Sequence, residues 1–74
     1  MIQDLDVVAL VRALPALGLV IGDLGTVVHV YKDGLAYEVE FMTLTGETID
    51  VVTLEADTIR PIRDREIAHA RAVV

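Results

Sequence analysis

Few side chains in this chain of 74 residues could do chemistry. Glu38 and Glu40 alternate with Tyr37, Val39 and Phe41, so on a strand they share one face. Paired carboxylates can act as acid and base when their surroundings separate their pKa values. Here that face is the polar side of an amphipathic strand, and the reading favoured is a hydrated surface. The sequence contains neither serine nor cysteine, which leaves threonine as the only small nucleophile, and no threonine has an evident base beside it. No enzyme activity and no catalytic residue is expected.

A metal site needs several converging ligands, and the two imidazoles, His29 and His69, lie far apart in sequence. His29 with Glu38 and Glu40 across a hairpin is the one conceivable weak divalent set. A cross-strand His/Glu surface pair asks for less and is favoured, and His69 reads as a surface residue of the tail. No metal or other cofactor is expected. Nucleic acid is also a poor fit. Residues 1–59 hold ten acids against Arg12 and Lys32, and only residues 60–74 reverse the sign, with four arginines against Asp64 and Glu66. An acidic body repels the phosphates that supply most nucleic-acid affinity. Tyr31, Tyr37 and Phe41 are the only aromatic rings, and the alternation turns Phe41 and Tyr37 inward, leaving little on which to stack bases.

The elements that carry these residues are mostly short strands. "LDVVALVRAL" from Leu5 to Leu14 reads as a first strand ended by Pro15, although its imperfect alternation would also suit a short helix. "PALGLVIGD" is a loop that turns back. "LGTVVHVYK" and "AYEVEFM" form a hairpin through a two-residue Asp33-Gly34 turn, where positive φ is required. "TGE" turns the chain into "TIDVVTLE", and "ADTIRPI" ends in a short strand limited by Pro61. Five short strands and no covering helix favour a small barrel, the architecture that removes exposed sheet edges. Past Pro61, "RDREIAHARAVV" has good helix formers and no Gly or Pro, which predicts a C-terminal helix of two or three turns. The expected organisation is mainly β: a five-stranded barrel domain over residues 1–62 and a helical tail over 63–74.

Length and hydropathy point to partnership. A chain this short buries only about 60% of its unfolded surface or slightly more, and it has no cysteine to staple it. Yet 54% of its residues are hydrophobic and its mean hydropathy is +0.57, so some apolar area should remain for an interface. No apolar run approaches the ~20 residues of a membrane span, and "MIQDLDVV" has acids where a signal peptide is basic. A cytoplasmic location with no membrane contact is the expectation. Two apolar clusters are the candidate partner-binding residues: Leu17, Leu19, Val20 and Ile21 in the loop, and Ile67, Arg71 and Val74 in the tail. The loop residues could equally fold under and plug the barrel mouth. Ile67 and Val74 would form a helical stripe with Ala70, flanked by Arg63, Arg65 and Arg71.

Gly22 and Gly25, followed by Val27, Val30, Val39 and Phe41, resemble the KOW-type and other SH3-like small barrels, in which a glycine bends the chain into a hairpin strand. That resemblance implies a fold and carries no nucleic-acid binding, because the surfaces of such ribosomal and transcription domains are basic. "LDVVALVRALPALGL", "GDLGTVVHVY", "YEVEF" and "VVTLEADTIRP" together resemble the small bacterial proteins grouped as domain of unknown function 4926, over roughly residues 4–62. The resemblance implies a barrel-like fold and no activity. Some similar proteins look like the protective partner in toxin–antitoxin gene pairs, which implies a toxin-like protein partner. Val20-Ile21 departs from the polar or basic residue usual before the Gly-Asp. A fainter likeness runs to small SH3-like chains that dock on redox enzymes, such as the variable chain of ferredoxin–thioredoxin reductase. The functional expectation is a non-enzymatic protein–protein module, antitoxin-like or accessory to another bacterial protein. Self-association remains open, and the alternative is a nucleic-acid-associated regulator that binds through Arg63, Arg65 and Arg71.

Overall fold

The computed structural model describes residues 1–73. The chain forms five antiparallel strands: β1 Val7–Leu10, β2 Leu24–Tyr31, β3 Ala36–Met42, β4 Thr48–Glu55 and β5 Ile59–Pro61. They join in one sheet of order β4-β3-β2-β1-β5. Single 3₁₀ turns at Pro15–Leu17 and Ala56–Thr58 serve as corners.

The alternation of β3 is realised: Tyr37, Val39 and Phe41 are buried. Directly opposed residues of an antiparallel pair share a face, so Val27 opposite Val39, Tyr37 opposite Leu54 and Leu10 opposite Ile59 place one apolar layer on one side of the sheet. Val8, Leu19 and Phe41 complete that core. Gly25 makes the packing possible. A Cβ there would stand 2.5 Å from Val39 Cγ1 and 3.0 Å from Phe41 Cε1, so only a glycine lets β2 lie this close to β3.

The sheet does not close, and the expected SH3-like barrel is corrected to an open five-stranded sheet. Closure would need β4 to pair with β5. Instead, among the described residues, β4 bonds only to β3, and β5 only to β1. Pro61, with no N–H to donate, ends β5 after three residues, and the edge it presents takes no partner beyond β1 among the described residues. β1 is likewise shorter than the Leu5–Leu14 expectation. Beyond Leu10 the chain turns off the sheet, and Leu14 pairs with Leu19 around the 3₁₀ turn. The hairpin after β2 is present, but its connection has four residues, not two: Tyr31 opposes Ala36, and positive φ falls on Lys32, Asp33 and Gly34.

Among the described residues the predicted C-terminal helix is absent; residues 66–73 have no regular secondary structure. A helix this short is marginal without a surface to pack on. Here Arg65 adopts φ 64°, left-handed and incompatible with a continuing helix. The side chains that would have decorated the helix bond elsewhere: Glu66 is taken by Arg60 and by the Arg63 N–H, and Arg71 by the loop before β2. No helix among the described residues is long and apolar enough to cross a membrane.

Candidate interaction surface

The face of the sheet opposite the core is where β1, β2, β3 and β4 present Val7, Thr26, Glu40 and Val51 in one cross-strand row. In the neighbouring row Ala9 opposes Leu24 on one side and Arg60 on the other. Strict alternation would make these outward positions polar. Instead Val7, Leu24, Met42 and Val51 are apolar and 42–49% exposed. The acids among them are tied down by neighbours. Thr48 Oγ1 donates to Glu40 Oε2 at 2.7 Å, and the Thr53 hydroxyl and the Tyr31 phenol donate to Glu38 Oε1. His29 opposes Glu38 in register, as a cross-strand pair would, and its ring meets Tyr31 edge to face at 4.4 Å. No group of three or more His, Asp or Glu side chains is placed to hold a metal ion among the described residues.

The tail crosses this face on two ion pairs. Near its start, Arg60 donates to both carboxylate oxygens of Glu66, at 3.0 and 2.6 Å, and the Arg63 N–H donates to Glu66 Oε1. The Arg60 guanidinium, with help from that N–H, lowers the Glu66 pKa to about 2. Further along, Arg71 Nε donates to Asp23 Oδ1 at 2.8 Å, while Nη2 donates to Asp23 Oδ2 and to the Gly18 carbonyl at 3.0 Å. Asp23 is set for this role by its own loop. Val20 N–H donates to its carboxylate at 2.8 Å, and its backbone carbonyl accepts from Leu10 N–H at 2.9 Å. The Arg71 hydrogen bonds outweigh burial and hold the Asp23 carboxyl below its usual range.

The candidate residues read from the sequence divide. Leu19 is buried and Leu17 half-buried against the core, so this half of the loop closes the end of the hydrophobic layer. Val20 and Ile21 face outward at 43% and 67% exposure, and Ile67 is 94% exposed. The structure brings Val20, Ile21 and Ile67 together on the rim of one cleft of about 600 Å³, which Ile62 and Val7 also line. Arg71 lies between this cleft and a second of about 550 Å³, bounded by the β3–β4 turn. Val74 lies outside the described residues. Sequence reasoning missed Asp23 as a receptor for Arg71, since the two are brought together only by the fold. It also missed Val7, Leu24 and Met42, whose signal was an apolar residue at an outward strand position.

No curated protein and no solved structure matches the chain. A family profile described as "Domain of unknown function (DUF4926)" matches residues 4–61, which takes in all five strands and stops at the end of β5. The chain therefore belongs to the DUF4926 family.

Proposed function

We propose that this protein is a non-enzymatic module that works by protein–protein contact, as an antitoxin-like or accessory partner of another bacterial protein. The observation that carries this reading is the outward sheet face. Val7, Leu24, Met42 and Val51 form an exposed apolar area around hydrogen-bonded Thr48 and Glu40, and Val20, Ile21 and Ile67 extend it. Apolar patches rimmed by polar groups are the usual mark of an interaction site. The acidic body would draw a basic partner and fix its orientation, and the apolar side chains would hold it. A cytoplasmic setting belongs to the same reading, given a cysteine-free chain. The alternative, nucleic-acid binding through the tail, is less well supported because Arg71 is already engaged by Asp23.

The test is affinity capture from the native host at low and high salt with the wild-type chain, Val20→Asp and Ile67→Asp. Both positions are exposed, so the fold should survive. Loss of the captured protein from both variants, with weaker capture at high salt, is the expected result. Undiminished capture by both would refute the proposal.

A further inference from the structure

The tail is held on the sheet in an unusual way. Among the described residues, no backbone–backbone hydrogen bond ties residues 62–73 to the body. Its fixed points are side-chain bonds, and all its residues from Ile62 to Val73 are exposed. The seat at its far end, by contrast, is built from groups that the body itself holds in place. Asp23 Oδ1, Asp23 Oδ2 and the Gly18 carbonyl converge on one guanidinium, and Val20 N–H orients the carboxylate. A planar fork of donors matches the two carboxylate oxygens side by side, and a lysine ammonium, a compact point charge, does not. Around the seat the tail underfills its groove. Ala68 lines both flanking clefts, and Ala70 and Ala72 line one of them, leaving apolar space beside Leu19, Leu24 and Phe41.

We propose that this seat reads an arginine on an extended segment of a partner protein, with bulky apolar residues beside that arginine filling the two clefts, and that the chain's own tail is the resident, displaceable occupant. This rests on the protein-contact reading above and adds to it the chemistry of the recognised segment. The acidic body favours a cationic segment over the long range, and the seat selects arginine at contact. Arg71 shows the binding mode, and the alanines beside it show where a stronger ligand would gain. Because the tail is tethered at about millimolar effective concentration, its own sequence supplied in trans should bind the vacated seat with a Kd on the order of 1 mM or somewhat below, and the wild-type chain more weakly than that.

The probe is an octapeptide with the Glu66–Val73 sequence in which leucine replaces each alanine, titrated into the ¹⁵N-labelled full chain and followed by NMR. The expected result is saturable shifts at Gly18, Asp23 and Leu24, with the amides of the tail moving together toward free positions. The leucine peptide should bind several-fold more tightly than the unmodified sequence. Full-length Arg71→Ala, whose seat is vacated, should bind it several-fold more tightly than wild type. Asp23→Asn, which keeps an acceptor for Val20 N–H, made in the Arg71→Ala chain so that no resident arginine competes, should weaken binding at least about tenfold, the loss expected of a charge-assisted fork. Equal binding by a peptide with alanine in place of the arginine, or by the Asp23→Asn/Arg71→Ala chain compared with Arg71→Ala, overturns the proposal. A concentration-dependent doubling of mass in which tail amides shift on dilution assigns the seat to a second copy and overturns it too. If no shifts appear while partner capture still depends on Val20 and Ile67, the arginine seat falls and the contact reading stands.

Discussion

The close approach of β2 to β3 at Gly25 can be tested by adding a single methyl group. In Gly25→Ala the new carbon would lie 2.5 Å from Val39 Cγ1, 3.0 Å from Phe41 Cε1 and 3.1 Å from the Glu40 carbonyl oxygen. Val39 is wholly buried and Phe41 is 2% exposed, so neither can move aside without disturbing the rest of the core. Overpacking of this kind costs about 1–3 kcal/mol. Replacing glycine also removes freedom from the unfolded chain, which returns about 0.4–1 kcal/mol. The net loss should be about 1–2 kcal/mol. A domain of this length melts with an entropy of roughly 0.16 kcal/mol/K, so Tm should fall by about 6–13 °C. Thermal unfolding by circular dichroism, with urea titration beside it, would measure both quantities. The decisive measurement is a double-mutant cycle with Val39→Ala, which removes the Cγ1 that blocks the site. Alone it leaves a cavity and costs about 1–2 kcal/mol. In the Gly25→Ala background it should cost clearly less, giving a favourable coupling of about 1 kcal/mol. An unchanged or raised Tm in Gly25→Ala, or coupling below about 0.3 kcal/mol, would refute the close-packing account.

Two further outcomes are expected. The loop before β2 should respond to truncation in opposite ways along its length: Leu19→Ala, 4% exposed, should cost about 2–5 kcal/mol in urea unfolding, and Ile21→Ala, 67% exposed, should change it by less than about 0.5 kcal/mol. Equal effects would mean that the loop does not divide into a plug and a surface. The tail should detach in acid: the Glu66 pKa is lowered from 4.5 to about 2 and that of Asp23 is lowered as well, so their contribution is complete above about pH 4.5 and is lost as pH falls toward 2. Tail amide shifts followed against those of β3 would show this, and a transition at or above pH 6 would contradict it.

Much of the sheet was legible because its signals are local. The alternation of Tyr37, Val39 and Phe41, the β-branched run of β4 and the stop at Pro61 each depend on neighbours in sequence, and each appears where expected. The hairpin was legible in place but not in detail. Asp33-Gly34 marks a turn, while the number of residues left unpaired depends on the register that the bulge between Val27 and His29 imposes on β2 and β3. Closure was not legible at all. Whether five strands form a barrel depends on β4 reaching β5, a contact between distant segments that no local pattern encodes.

The tail and the interaction surface mark the boundary between the two kinds of information. By itself, the sequence determined that a basic, apolar segment follows an acidic β-rich body and that chemistry-bearing residues are scarce. Helix propensity there is a weak preference that tertiary bonds override, and only the folded chain supplies those bonds, with Asp23 and Gly18 meeting Arg71 and Arg60 meeting Glu66. Val20 and Ile21 of the loop and Ile67 of the tail, far apart in sequence, come to line one cleft for the same reason. Residue types and their spacing are written locally. Which distant groups share a surface is decided by how the strands order themselves, and that order is set by burying Val8, Leu10, Val27 and Val39 together.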